Sequence, residues 1–249
     1  IILLSLSNTA SSSTEKTAAL AKSYANLVSN YYNEVAIKTK AMHESINIFL
    51  ESPNYANLSN AKNKWIDARI VYGITEAFRF YGGPIDGVNK YGEEGPEALI
   101  NAWPLNEAYI DYVAGNPESG IINNLSYEIN ARSIIAANMS EDDAEVSTGW
   151  HAIEFLLWGQ DLSLETAGTR QAEDYTPTDA IKKRRRTYLR ETSILLLEHI
   201  NWLSIQWSKT GEGRAAFLEK SDPGGAILTG IATLAAFELS AERIATALD

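Results

Sequence analysis

The chain has no cysteine in its 249 residues. Disulfides, thiolate nucleophiles and cysteine-based zinc sites are therefore excluded. This absence does not assign a compartment, because many exported bacterial proteins lack cysteine too. Histidine is scarce at 3 residues, which leaves few imidazoles for a metal. Proline is scarce at 7, which fits long helices better than a many-turned β-sandwich. No apolar run reaches the ~18 residues that span a bilayer, so no transmembrane segment is expected. Basic residues are outnumbered, 21 Lys and Arg against 32 Asp and Glu, for a formal net charge of −11. Neutralising phosphates needs clustered cations, so nucleic acid is not an expected partner.

What is present describes a packed protein. The chain is 45% hydrophobic and 10% aromatic, well outside the range of disordered segments. Its length buries one sizeable core or two smaller ones. The acidic balance suits a protein that handles cations, although acidity alone does not identify one. The first residues, Ile1 to Ser7, read either as the end of a signal peptide's apolar segment or as an ordinary helical extension.

Helical spacing dominates the rest. From Thr14 to about Glu51, apolar residues including Leu20, Tyr24, Leu27, Val28, Val35, Met42, Ile46 and Phe49 recur on one helix face. Pro53 ends that helix, and a second runs from about Asn57 to Tyr81, where Gly82-Gly83-Pro84 breaks it. Shorter helices are expected at Leu105–Val113 and over 121–138. Ser140-Glu141-Asp142-Asp143 reads as an N-cap with acids in a first turn. A helix through Trp150 and His151 should stop at Gly159, followed by a polar loop over 160–177. A long helix is expected from Thr178 to Lys209, with Lys182 to Arg186 as a solvated face, and a last one from Ala226 to about Leu248. No period-2 strand of useful length occurs. The fold class is all-α: antiparallel helices in one or two bundles, with a divide in the loop at 160–177.

The informative positions are those where an inward face turns polar. In Gly149 to Gly159, His151 and Glu154 are three apart and share a face with Phe155 and Trp158. Trp150, Ile153, Leu156 and Leu157 make this helix apolar nearly all round, which predicts burial. A buried carboxylate needs a partner or a metal. Imidazole with carboxylate is a ligand pair for zinc or iron, and equally a hydrogen-bonded pair that fixes helix packing. Two ligands do not make a catalytic zinc site, which takes three protein ligands and an open position. The zinc-protease helix motif His-Glu-x-x-His is absent, as are the paired Glu-x-x-His motifs of di-iron bundles. His43 and His199 complete neither, and read as structural or surface residues.

Candidate partners come from other helices. Trp65, Arg69, Tyr72, Glu76 and Arg79 fall within an arc of about 80° on the second helix. Such a stripe is either a solvated salt-bridge face or a buried network, and its aromatic members favour the latter. On the last helix, Ile227, Ile231, Leu234 and Ala235 mark the inner face. Glu238 lies at its centre and Glu242 at its edge, beside Arg243. The segment Ala102-Trp103-Pro104-Leu105-Asn106-Glu107, with Asp111 and Tyr112 beyond it, adds further polar groups or simply turn chemistry around one anchoring tryptophan.

The run Gly149-Trp150-His151-Ala152-Ile153-Glu154-Phe155-Leu156-Leu157-Trp158-Gly159-Gln160-Asp161 resembles the hallmark Gly-x-His-x-x-Glu motif of the imelysin family, tail included. Arg69 through Phe80, Ala102 through Tyr112, and Leu228-Thr229-Gly230 with Glu238-Leu239 and Glu242-Arg243 are similar to further family segments in the same order. Phe237 and Ala241 depart from the pattern, standing where the last segment usually has glycines. The resemblance implies an exported protein of two related four-helix-type bundles packed together. It implies a place in the periplasm or at the cell surface, with a lipid anchor in some precursors, and a tie to bacterial iron acquisition. Residues 1–13 would then be a signal or linker remnant. Residues 14–160 would form the N-terminal bundle, and 161–249 the start or part of a second.

Founding members were described as metallopeptidases, whereas related EfeO-type proteins are associated with binding iron or other cations. The family's site carries over onto His151 and Glu154, with Glu76 as a further metal ligand. Arg69, Tyr72, Arg79, Trp103, Asn106, Asp111, Glu238 and Glu242 would line it. The expected ligand is iron or an iron-bearing ligand, handled together with other envelope iron-uptake proteins. The alternatives are a zinc metallopeptidase, with iron or zinc as cofactor, and a partner-binding scaffold without metal.

Overall fold

A computed structural model describes residues 2–245 except 90, 164 and 166, with backbone alone at 2–14, 242, 243 and 245. The described chain is all-α. Its only extended pairings among the described residues are the isolated bridges Val88–Glu94 and Val113–Asn116.

Helix α1 runs Ile2–Glu51. It begins well before the expected Thr14, because nothing between Ile2 and Ser13 breaks a helix: there is no Pro and no Gly. Val28, Val35, Met42, Ile46 and Phe49 are fully buried as the spacing predicts, whereas Leu20 and Leu27 are about half exposed. Helix α2 spans Tyr55–Thr75 and passes into a 3₁₀ turn, Glu76–Phe78. It stops short of Tyr81 because Arg79 is extended and Phe80 has a positive φ of 65°.

Four short helices follow: α3 (Glu97–Ile100), α4 (Glu107–Ile110), α5 (Gly120–Asn123) and α6 (Ala131–Ala137). The single helix expected over 121–138 is thus two. Asn130 starts the second by accepting a hydrogen bond from the Ser133 amide, and its own amide donates in return to Ser133 Oγ at 3.1 Å. Ser140–Asp143 opens no helix. The Asp142 side chain instead accepts from the Ala144 amide in a local turn.

Helix α7 is Gly149–Trp158 and ends at Gly159, as expected. After the 160–177 loop come α8 (Ala180–Gln206), α9 (Glu212–Leu218) and α10 (Pro223–Thr233), which continues as a π-helical stretch, Leu234–Ala245. Asp222 caps α10 through the Gly225 amide, with Pro223 in the first turn.

The chain divides into two compact units interleaved along the sequence. One comprises residues 1–34, 71–95 and 201–249, and the other 35–70 and 96–200. The first is centred on aromatic rings: Tyr24 lies 5.0 Å from Phe217 and 5.7 Å from Phe78, and Trp207 lies 5.7 Å from Phe217. In this unit α10 approaches the Arg79 carbonyl through Gly230, where a Cβ would lie 2.5 Å from that oxygen. The expected inner face of the last helix is not fully buried: Ile231 is 47% exposed, Ala235 is exposed, Ile227 and Leu234 are half-buried, and Gly230 rather than a large side chain makes the close contact.

The second unit packs Trp150, Leu156, Tyr175 and Tyr188 with essentially no exposure. The two tyrosine hydroxyls are satisfied: Tyr175 donates to the Leu156 carbonyl, and Tyr188 donates to the Ser147 carbonyl at 2.9 Å.

Candidate functional site

Two glycines place helix α7. Gly149 has φ +80°, and a Cβ there would lie 2.3 Å from the Ile100 carbonyl oxygen, so only glycine lets the helix start against α3. Gly159 ends it with φ +74°. Between them Trp150, Ile153, Leu156 and Leu157 are wholly buried. The opposite face carries His151 and Glu154 to the edge of a cleft of ≈ 590 Å³.

His151 Nδ1 lies 3.2 Å from Glu154 Oε2, with side-chain exposures of 16% and 44%. Glu154 is therefore not the buried acid that the apolar helix suggested. The helix is sunk on one side only, and its polar edge faces the cleft.

The remaining wall comes from α2, the 103–108 segment, Val113, and residues 159–161, 167 and 168. Trp103, 68% exposed, sets its ring 4.8 Å from that of His151. Trp65 is anchored by donating its indole N–H to the Trp150 carbonyl at 3.1 Å, and its ring lies 5.3 Å from that of Trp158. Asn106 precedes α4, with its amide fixed on the Ala144 carbonyl at 2.7 Å. Glu107, in the first turn of α4, contributes a carboxylate, and Asp161 another. Burial pushes the Glu107 carboxyl above the ordinary carboxylate range. The Gln160 side-chain hydrogen bond and the Arg170 charge oppose that rise, while the Asp161 and Glu154 charges reinforce it.

Beneath the cleft lies a polar core. Asp111, fully buried, accepts from Arg185 Nε at 2.6 Å and Nη2 at 2.9 Å, and lies 3.0 Å from Arg170 Nη1. Arg170 stacks between the rings of Tyr112 (4.6 Å) and Phe155 (5.3 Å). Phe155 is the wall shared by this network and the cleft. The Lys182–Arg186 run is accordingly not a solvated face. Arg185 enters the core, Arg184 donates to the carbonyls of Ile121, Ile122 and Asn124, and Arg186 donates to that of Tyr175.

The predicted residues are thus distributed over both units. His151, Glu154, Trp103 and Asn106 meet at the cleft. Asp111 lies in the ion-pair core instead. Arg69 is on α2 and half-buried. Tyr72, Glu76 and Arg79 are buried in the other unit, where Arg79 lies 3.7 Å from Asp86. Glu238 is half-buried in the π-helical stretch of that unit, and the Glu242 side chain lies outside the described ones. Sequence reasoning did not single out Glu107 and Asp161 as site residues, although both lie in segments it quoted. Arg170 and Arg185 carried no periodic signal that would have found them.

The family model for imelysin, Peptidase_M75, matches residues 28–249. The chain belongs to the imelysin family. Its fold is similar to the crystal structure of a protein from Parabacteroides distasonis ATCC 8503 named an iron-regulated protein A precursor. The TM-score is 0.57 at 20% identity over 90% of this chain. The likeness covers 52% of that protein, so this imelysin chain spans about half its length. No curated protein matches the sequence.

Proposed function

We propose that this chain is a binding module for an iron-bearing ligand, a ferric chelate rather than a bare ion, seated in the cleft beside His151 and Glu154. The observation that carries this reading is the mismatch between cleft and donors. A space of ≈ 590 Å³ has the size of a small-molecule site. Yet no three or more His, Asp or Glu side chains are grouped to hold a metal ion among the described residues. A chelate brings its own oxygen donors and needs shape, aromatic walls and a few polar contacts. The iron association comes from the family and from the name of the structural relative. Export to the periplasm or cell surface, and service to other envelope iron-uptake proteins, belong to the same proposal.

The metallopeptidase reading fits less well. A resident catalytic zinc takes three protein ligands with an open position. The one His–Glu pair at the cleft falls short of that set.

Titrating the purified chain with ferric trihydroxamate, ferric citrate and the uncomplexed ions, followed by tryptophan fluorescence, tests the proposal. One-to-one binding of a chelate, lost in His151→Ala, is the expected result. Tight binding of uncomplexed iron alone, or no binding of either form, would overturn it.

A further inference from the structure

Taking the cleft beside His151 as a ligand site, as above, we propose that it selects its ligand by a positively charged organic group, an ammonium or quaternary ammonium, held between aromatic faces and carboxylates. The described lining contains Glu107, Glu154 and Asp161 and no Lys or Arg. It also contains the rings of Trp65, Trp103, Phe155 and Trp158. Carboxylates beside indole faces suit an organic cation, which gains Coulomb attraction from the acids and quadrupole attraction from the rings. A hydrated metal ion gains little from indole, and an anion is repelled by the acids.

Three details sharpen the argument. Trp103 keeps 68% of its surface in water at the cleft mouth, 4.8 Å from His151, where a large ring is available to cover a ligand. The acids also repel one another: the Glu154 and Asp161 charges help raise Glu107, and a cation placed among them would relieve that repulsion. The Arg170 charge offsets part of it, but no cation stands in the cleft lining itself. Lys62 sits over the Trp158 ring at 5.4 Å but outside the lining, and Arg170 lies behind Phe155, paired with Asp111.

The test uses the full chain and isothermal titration with two matched pairs of probes. One pair is benzyltrimethylammonium and its neutral carbon isostere neopentylbenzene. The other is a ferric trihydroxamate with a free amine tail and its N-acetylated form. The charged member of each pair should bind about tenfold more tightly. Trp103→Ala should weaken benzyltrimethylammonium about threefold to thirtyfold, the range for loss of one cation–π partner. Glu107→Gln and Glu154→Gln should weaken it comparably, with circular dichroism unchanged because these side chains are part-exposed.

Equal affinity for charged and neutral members, or indifference to both Gln variants, overturns the proposal. If ferric chelates of every charge bind alike, charge selection fails while the iron reading stands. If benzyltrimethylammonium binds with the stated dependences and no ferric chelate binds, charge selection stands and the iron reading fails.

Discussion

Asp111 grips Arg185 with both carboxylate oxygens, at 2.6 and 2.9 Å, in a place where the acid has no solvent exposure. Arg170 shares the same carboxylate at 3.0 Å. Removing the acid would strand two guanidinium groups away from water. Breaking a buried pair by deleting one partner costs about 3–5 kcal/mol. Asp111→Ala should lower unfolding free energy by that amount in urea denaturation. A loss under ~1 kcal/mol would mean that the network is hydrated in solution.

The start of α7 offers a test of backbone rather than charge. Gly149 and Gly115 both have φ +80°, but only Gly149 is crowded: its Cβ would meet the Ile100 carbonyl, while Gly115 has nothing within 4 Å. Gly115→Ala should therefore cost only the left-handed penalty, roughly 1–2 kcal/mol. Gly149→Ala should cost clearly more, because α3 and α7 must also move apart. Similar thermal shifts for the two variants would show that the contact with Ile100 yields easily.

These cases indicate what could be read from the sequence. The helices were legible because period-3.6 apolar spacing records burial directly, as at Val28, Val35 and Met42. Gly159 marked the end of α7 because glycine at a helix end reflects a conformational need. That His151, Glu154, Trp103 and Asn106 border one cleft was legible through a local motif and its neighbours. The burial of Arg185 was not, since its partner Asp111 lies far away in sequence and a Lys-Lys-Arg-Arg-Arg run looks like any solvated face. The assignment of Glu76 and His151 to different compact units was equally hidden. A helical wheel treats Trp65 to Arg79 as one stripe, yet α2 ends at Thr75 and the chain divides between units near residue 70.

Exposure of Glu154 sets what its loss should cost. Its side chain is 44% exposed and its His151 contact is 3.2 Å, so the pair behaves as a surface contact worth about 0–1 kcal/mol. Glu154→Ala and His151→Ala should each leave helicity and the urea midpoint nearly unchanged while altering ligand binding. If Glu154→Ala instead unfolds the protein, the pair is a packing element rather than a recognition element.

Glu107 ties the cleft to pH. Burial, reinforced by Asp161 and Glu154, raises its folded pKa above the ordinary value, against the Gln160 hydrogen bond and the Arg170 charge. A raised acid favours the protonated folded state. Its stabilising contribution is complete below the unfolded pKa, about 4.3, and is lost as pH rises through the folded value. Glu107→Gln mimics the protonated form at every pH. The variant should match the wild type in melting temperature near pH 4 and exceed it at pH 7. Solvent screening of this part-exposed group keeps the gain modest. A variant that is less stable than wild type at pH 7 would mean that the charged carboxylate is held by a favourable partner. In that case the acids of the cleft would already be satisfied and would have little left to offer a cation.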